Sequence, residues 1–428
     1  MKIYNTLTKH VDEFIPHNKD LVTMYTCGPS FYHYAHIGNL RTYIFEDVLE
    51  KTLNYLGYNV KRAMNITDVG HLTSDSDSGE DKMLKGAKRE HKTVLDIANF
   101  YTEAFKKDTE KLNIKWPEIV SKATDNIDEY LKIINALIKK GYAYQSGGNV
   151  YFDTSKLTDY YQLTNHKIDE MVVGVRKGVE EDKAKKNQAD FALWFTKSKF
   201  DDQELKWDSP FGLGYPGWHI ECSGISLKYL GENLDIHCGG IDNIFPHHTN
   251  EIAQSESYLG HKWCNYWIHG EHLNDETGKM SKSKGNFFTV RDISKKYDLE
   301  IVRFFMLSAH YRNPVNFSDE MLNQAKAGLE RLYNAKEKLE FTISNLSESA
   351  IKDEEKELIN ELESYKDKFI NAMEDDLNTA DAVSAIFELS KFINTNVNET
   401  SSLEFAKMCL DKFNELTGVL NIVNKKND

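Results

Sequence analysis

The chain has 428 residues, of which 40% are hydrophobic and 28% charged, and its 53 lysines and arginines against 67 acidic residues give a formal charge of −14. This composition excludes a collagen-like, low-complexity or disordered chain, and the acidic balance argues against a protein that coats nucleic acid indiscriminately. No apolar run approaches the roughly 18 residues of a membrane span, the first residues lack the apolar stretch of a signal peptide, and the cysteines are too few for a disulfide framework. We therefore expect a cytoplasmic protein that has no contact with a membrane.

The first predicted elements form a strand–helix–strand unit. A β-rich run covers 21–26, apolar residues at helical spacing cover 39–56, and a second β-rich run covers 60–67. Such a unit implies a parallel sheet, whose ligands bind where strands end and helices begin. The segment from Cys27 to Asn39 falls at that edge.

The elements that follow indicate a sheet interrupted by an insertion. Residues 70–90 are polar and are typical of a surface loop, and helical periodicity resumes over 94–112. The stretch of about 113–215 mixes short β-like pieces with charged loops, which favours an insertion. Strands of the second half of the sheet are predicted at 234–240 and 267–270.

The character of the sequence changes after residue 318. Residues 319–428 contain little glycine and no proline, show repeated helical stripes, and include Asn378 as a helix cap. We therefore predict an α/β protein, with a Rossmann-like parallel-sheet catalytic domain over 1–318 and an all-α helical bundle over 319–428.

Two short motifs suggest a site for phosphate groups. In His36-Ile-Gly-Asn39, an imidazole and a carboxamide at a helix start can donate hydrogen bonds to phosphate oxygens, although a helix-capping histidine explains the string equally well. In the loop 278–287, lysines that include Lys279 and Lys282 suit a triphosphate whose charge shifts during reaction. The alternative for this loop is a solvated run of charges.

A third group of residues has the chemistry of a metal site. His247 and Glu251 are four residues apart and face the same way if their segment is helical, and Cys27 and Cys222 are available soft donors. His237 and His248 are rival ligands that spacing does not separate from the first set. The simplest alternative is that the cysteines are small core residues, as we expect of Cys238, Cys264 and Cys409.

Taken together, these motifs resemble one family. The string at 36–39, followed by Lys279-Met-Ser-Lys-Ser283, resembles the paired signature of class I aminoacyl-tRNA synthetases. The strings TCGP (26–29), NITD (65–68), GWHIECS (217–223) and HCGGIDNIFPHHTNEIAQSE (237–256) are similar to those of the cysteinyl-tRNA synthetases.

The resemblance implies a role for each matching residue. Zinc would be bound by Cys27, Cys222, His247 and Glu251. ATP and its Mg²⁺-bound phosphates would be met by His36, Asn39, Lys279 and Lys282, and the adenosine by Gly239, Gly240 and Asp242. Thr67 and Trp218 would line the pocket for the cysteine side chain.

The resemblance also implies the reaction, in which L-cysteine is activated by ATP and then joined to tRNA(Cys). Zinc would bind the cysteine as a thiolate, which serine does not imitate at neutral pH. The bundle over 319–428 would lie along the tRNA stem toward the anticodon, without the further C-terminal subdomain of many members, and we expect a monomer.

Two other functions compete with this one. A sister ligase of mycothiol biosynthesis activates cysteine in the same way but joins it to a glucosaminyl-inositol. A tRNA-binding paralogue without activity is disfavoured because His36, the motif lysines and the full metal set are present. Asn39 departs from the second histidine that often ends the first motif, yet its carboxamide still donates hydrogen bonds.

Overall fold

A computed structural model of the chain describes residues 1–29, 33–69, 94–164, 183–197, 205–275, 278–279 and 289–425. The predicted loop at 70–90 lies outside these ranges. None of the helices within them combines the length and the apolar character that crossing a bilayer requires.

The elements alternate between strands and helices in the first part of the chain and are helical in the last. The strands are β1 Lys2–Asn5, β2 His10–Glu13, β3 Val22–Thr26, β4 Val60–Ile66, β5 Ile119–Lys122, β6 Ala143–Ser146, β7 Asn149–Phe152, β8 Phe191–Phe195, β9 Tyr215–Pro216, β10 Leu234–Gly240, β11 Cys264–Gly270, β12 Leu273–Asp275, β13 Gly278–Lys279 and β14 Val315–Asn316. The helices are α1 Ile37–Tyr55, α2 Val94–Lys111, α3 Ile127–Lys139, α4 Trp218–Leu230, α5 Thr249–Leu259, α6 Val290–Ser294, α7 Leu299–Leu307, α8 Asp319–Asn345, α9 Lys356–Glu374, α10 Thr379–Asn396 and α11 Leu403–Leu420.

The central feature is a parallel sheet of order β11-β10-β3-β4-β5. Its first unit, β3-α1-β4, is the predicted strand–helix–strand motif, and Gly57, with φ of +99°, follows the end of α1. Neighbouring residues of β3 point to opposite faces of the sheet: Met24 belongs to the core shared with α1 and the C-terminal helices, and Tyr25 to the core on the other side. The predicted α/β parallel-sheet fold is therefore confirmed.

The stretch of about 113–215, predicted as an insertion, contains strands of two different sheets. Strand β5 pairs in parallel with β4 (Ala63 opposite Ile119), so it extends the main sheet. The antiparallel sheet β6-β7-β8-β9 follows, and its core residues pack with α3 and α4. A four-residue strand carries too little periodic pattern to be recognised from sequence alone.

Strands β12, β13 and β14 form a separate three-stranded sheet, which lies in the sequence between the parallel sheet and the last helices. Strand β12 pairs with β13 through Asn274 and Lys279, and in parallel with β14 through Leu273 and Val315. We refer to these three strands as the small sheet.

The last four helices, α8 to α11, pack against one another and belong to the same hydrophobic core as Met24 and α1. Three of them, α8, α10 and α11, are capped by Ser318, Asn378 and Ser402, whose side chains accept hydrogen bonds from backbone N–H groups of the first turn. Asn378 was predicted to cap a helix, and this prediction is confirmed. The division of the chain at residue 318 remains a prediction about independent domains.

Candidate active site

The site lies at the carboxyl edge of the parallel sheet. Cys27 follows β3, and the C-terminal part of β10 lies beside it in the sheet. Helix α4 supplies Cys222 and α5 supplies Glu251, while His247 belongs to the helical turn before α5. This is the edge at which parallel sheets bind their ligands.

Close packing at Gly28 sets the path of the chain next to Cys27. A Cβ atom at Gly28 would lie 1.8 Å from the backbone oxygen of Asn65, so no other residue fits without a shift of the chain. The Gly28 N–H donates to Asn65 Oδ1 at 2.7 Å, and Asn65 Nδ2 donates to Thr67 Oγ1 at 3.1 Å. Asn65 thus ties the Cys27 turn to Thr67, which is buried just after β4.

The four predicted metal ligands lie together. The Cys27 Sγ atom is 3.6 Å from Cys222 Sγ and 3.6 Å from His247 Nε2, and His247 Nε2 is 3.1 Å from Glu251 Oε2. Tetrahedral zinc with bonds of about 2.3 Å to sulfur and about 2.0 Å to nitrogen gives edges of about 3.8 Å between sulfurs and about 3.5 Å from sulfur to nitrogen. The two distances from Cys27 Sγ fit these edges.

The electrostatics of the four ligands also fit a cation. Burial raises the pKa of the Cys27 thiol well above its usual value, and neighbouring Cys222 raises it further. Burial likewise raises the pKa of Cys222 and of Glu251. Since their ionised forms are disfavoured without a positive charge nearby, a divalent cation is the natural counterpart of this donor set.

His237 and His248, the alternative ligands, lie beside the same four residues. His237 Nε2 is 2.8 Å from Glu251 Oε1, and His248 Nε2 is 3.7 Å from Cys27 Sγ. Cys27, His237, His248 and Glu251 therefore form a second group close enough to share an ion. We favour the first group because it contains two thiols, Cys27 and Cys222, whereas the second group contains only Cys27. Glu251 belongs to both groups, and its two oxygens contact different histidines, His237 and His247.

Several residues that sequence reasoning did not single out support these ligands. His219 Nδ1 lies 2.9 Å from His247 Nδ1, and His269 contacts both His248 and Thr6 through hydrogen bonds of 2.7 Å. Burial lowers the pKa of His269 to about 3, so its ring is neutral at physiological pH. Only tertiary structure brings these positions together.

The Trp218 ring stacks on the His247 ring with centroids 4.0 Å apart and planes 18° apart. Trp218 is the first residue of α4, and Cys222 lies one turn further along the same helix. The predicted pocket residue Trp218 is therefore in direct contact with a predicted metal ligand.

The first phosphate motif lies at the start of α1. His36 is the N-cap residue, and its Nδ1 accepts a hydrogen bond of 3.1 Å from the Gly38 N–H, so the capping interpretation is confirmed and the phosphate role stays a prediction. Burial lowers the pKa of His36 to about 4. The neutral ring then carries its proton on Nε2, while Asn39 is exposed in the first turn of the helix.

The second phosphate motif is described only in part. Lys279 lies in β13, and Lys282 lies outside the described residues. Directly after the loop, Thr289 pairs with His36 as an isolated bridge, and the Val290 N–H donates to the Ala35 carbonyl at 3.0 Å. The end of the loop is thus joined to the residues before α1.

The positions predicted to meet adenosine lie at the end of β10. A Cβ atom on Gly239 would lie 2.7 Å from the His248 ring, so this residue lets the strand pass close to the candidate metal ligands. Gly240 ends the strand, and exposed Asp242 has an oxygen 3.7 Å from His272 Nε2. These residues line the same edge of the sheet as the first phosphate motif.

Comparison with protein families supports the resemblance over most of the chain. The model of the class I (C) tRNA synthetase catalytic domain matches residues 13–327, and the DALR domain model matches residues 368–424.

Individual relatives agree with the family models. The chain is 55% identical over 428 residues to a cysteine–tRNA ligase of Clostridioides difficile, covering all of this chain and 89% of the relative. It is 50% identical to a cysteine–tRNA ligase of Treponema denticola, covering 91% of this chain and 81% of the relative.

Among solved structures, methionyl-tRNA synthetase of Mycobacterium tuberculosis in complex with methionyl-adenylate has a TM-score of 0.63 at 16% identity, covering 94% of this chain and 90% of that one. A putative arginyl-tRNA synthetase of Campylobacter jejuni has a TM-score of 0.61 at 12% identity, covering 96% and 95%, and both structures share the fold. The chain belongs to the class I aminoacyl-tRNA synthetases, in the cysteine–tRNA ligase family.

Proposed function

We propose that the protein ligates L-cysteine to tRNA(Cys) in two ATP-dependent steps. The observation that supports this most strongly is the close group of two thiols, one imidazole and one carboxylate, in a chain 55% identical over its full length to a cysteine–tRNA ligase. A soft donor set at the ligand edge of a synthetase fold suits a substrate that carries a thiol.

Zinc is the proposed metal, held by Cys27, Cys222, His247 and Glu251. When bound, zinc supplies a Lewis acid that takes the substrate sulfur as a thiolate. Serine differs from cysteine by one atom, and an apolar pocket discriminates only modestly between such isosteres. We propose that Trp218 and Thr67 shape the pocket around the side chain, with Trp218 also fixing the ring of His247.

The phosphates of ATP are proposed to lie at the start of α1. Neutral His36 would donate from Nε2, exposed Asn39 would donate from its carboxamide, and the positive end of the α1 helix dipole favours anions. Lys279 and Lys282 would approach from the loop 278–287, with Mg²⁺ on the phosphates. Gly239, Gly240 and Asp242 are the proposed contacts of adenosine.

The chemistry requires positioning more than covalent participation by the protein. A carboxylate oxygen of cysteine attacks the α-phosphorus, the new oxygen–phosphorus bond forms, and pyrophosphate leaves. A hydroxyl of the terminal ribose of tRNA then attacks the carbonyl carbon, forming an ester and releasing AMP. His36, Asn39 and the two lysines would stabilise charge on the phosphates in the first step.

The C-terminal helices are the proposed tRNA-binding part. The bundle over 319–428, which includes the DALR match, would contact the tRNA stem on the anticodon side. A monomeric state and a cytoplasmic location remain predictions. No specific contact in the described residues favours the alternative ligase of mycothiol biosynthesis.

Charging of total tRNA with labelled cysteine tests the proposal, with serine as the control substrate and a zinc chelator in a parallel reaction. We expect charging that is specific for cysteine and sensitive to the chelator. Cysteine-dependent ATP–pyrophosphate exchange without charging would contradict the tRNA step and favour the amino-sugar ligase.

A further inference from the structure

We propose that Asp376, in the turn between α9 and α10, is a positioning residue that links the helical bundle to the strand carrying Lys279. The inference rests on the proposed function, because Lys279 matters only if its loop contacts ATP. The argument starts from the contacts of one buried carboxylate and follows them to the small sheet.

The Asp376 side chain is 5% exposed and is surrounded by donors from outside the bundle. Its Oδ1 accepts hydrogen bonds from the Tyr4 N–H at 2.8 Å and from the Tyr311 hydroxyl. Its Oδ2 accepts from Arg312 Nε at 2.6 Å and lies 3.5 Å from His310 Nε2. One carboxylate thus joins the bundle to β1 and to residues 310–312.

The backbone of this turn is held in an unfavourable conformation. Asp376 and Leu377 have φ of +51° and +54°, in the left-handed region that non-glycine residues rarely adopt. Leu377 is buried, and the Asp376 N–H donates to the Lys2 carbonyl at 2.9 Å. Strain of this kind persists only where surrounding contacts over-determine it, and it often marks a functional position.

The segment at 310–313 is in turn tied to the start of the small sheet. The Tyr311 carbonyl accepts from the Glu271 N–H at 2.8 Å, two residues before β12 begins. The Arg41 guanidinium, two residues after Asn39 in α1, donates to four backbone carbonyls at 2.6–3.1 Å, those of Glu271, His272, His310 and Asn313. Arg41 and Asp376 therefore both hold this segment.

The small sheet carries the connection to Lys279. Strand β14 follows residue 313 and pairs with β12, and the Phe317 N–H donates to the Asn274 carbonyl at 2.7 Å. Asn274 also pairs with Lys279 across β12 and β13. A displacement of Asp376 relative to residues 310–312 would therefore change the position of the strand from which the lysine loop begins.

Asp376→Asn tests the proposal because it removes the charge that binds Arg312 and keeps the size of the side chain. Asp375→Asn is the matched control, since Asp375 is the exposed neighbour and undergoes the same change of charge. Arg312→Gln, at a side chain 38% exposed, removes the other partner if Asp376→Asn does not fold.

Two readouts on the full-length protein separate positioning from folding. Hydrogen–deuterium exchange of the amides at 273–275 and 315–317 should accelerate at least about tenfold in Asp376→Asn, with β10 and β11 unchanged. In cysteine-dependent ATP–pyrophosphate exchange, the KM for ATP should rise at least about fivefold while the KM for cysteine stays within twofold. Asp375→Asn should change neither readout, and Arg312→Gln should reproduce both.

Unchanged amide exchange in the small sheet of folded Asp376→Asn protein would overturn the inference. Acceleration spread equally over β10 and β11 would also overturn it, since Asp376 would then only stabilise the fold. If the wild-type protein showed no cysteine-dependent exchange, the proposed function would fail, and the amide measurement would still decide whether Asp376 positions the small sheet.

Discussion

Arg303→Met should be the most destabilising single change at the junction between the sheet and the last helix. The Arg303 side chain is fully buried in α7, and its Nη2 donates to Asp47 Oδ2 in α1 at 2.8 Å. Its remaining donors reach the carbonyls of Leu420 at 2.9 Å and Leu112 at 3.2 Å, at the ends of α11 and α2. One side chain therefore connects four helices.

The expected loss in the free energy of unfolding depends on the groups that lose their partner when Arg303 is replaced. Burial opposes ionisation of Asp47, but Arg303 and Lys51 overcome this effect and hold its pKa below the usual value. Removing one partner of a buried pair costs about 3–5 kcal/mol because the other charge stays buried, and Lys51, 2.7 Å from Asp47, places the cost near the lower end. The two carbonyls add about 1 kcal/mol each, which gives about 5 kcal/mol in total.

Urea unfolding at pH 7, followed by circular dichroism, measures this cost. Arg331→Met, at an exposed position in α8, is the control and should change the unfolding free energy by less than about 1 kcal/mol. Adding Asp47→Asn to Arg303→Met should recover at least about 1 kcal/mol, because the uncompensated charge disappears. A loss below about 1 kcal/mol in Arg303→Met, or no recovery in the double variant, would refute this reasoning.

Three further predictions concern the site. Cys222→Ser should lower the amount of bound zinc at least about tenfold, as measured by mass spectrometry of the purified protein. The control Cys264→Ser, at a buried cysteine outside the ligand group, should leave bound zinc unchanged. Equal loss of zinc in both variants would contradict the ligand assignment. His36 should titrate by NMR near pH 4, since burial lowers its pKa to about 4. Its contribution to the free energy of unfolding should then be complete above about pH 6.5 and should decline as the pH falls toward 4, because the unfolded chain takes up the proton first. A titration midpoint above pH 6 would be inconsistent with this burial. Gly28→Ala should abolish zinc binding or folding, because the added Cβ would lie 1.8 Å from the Asn65 oxygen, and full zinc binding with an unchanged melting temperature would contradict the close packing.

Long periodic elements were predictable, and their ends were less so. The strand predicted at 234–240 is β10 residue for residue, with apolar Leu234, Ile236 and Cys238 at alternate positions. The helix predicted from residue 39 begins at Ile37, since the His36 side chain caps it. Strand β5 was assigned to the insertion because its pairing with β4 is a long-range contact that a four-residue pattern does not encode.

The chemistry of the site was predictable from residue types, and its exact ligand set was not. His247 and Glu251 do contact each other, although α5 itself begins only at Thr249. His237 and His248 crowd the same carboxylate, so spacing along the chain does not rank the histidines. The supporting contact of Trp218 with His247 arises from tertiary packing alone.

X-ray absorption at the zinc edge, with and without bound cysteine, tests the central claim most directly. The account predicts a zinc shell of two sulfur ligands from Cys27 and Cys222, with nitrogen and oxygen from His247 and Glu251, and a third sulfur at about 2.3 Å when cysteine is added. Serine should leave the sulfur count at two. A sulfur count that does not rise with cysteine, or a shell without two protein sulfurs, would contradict the account.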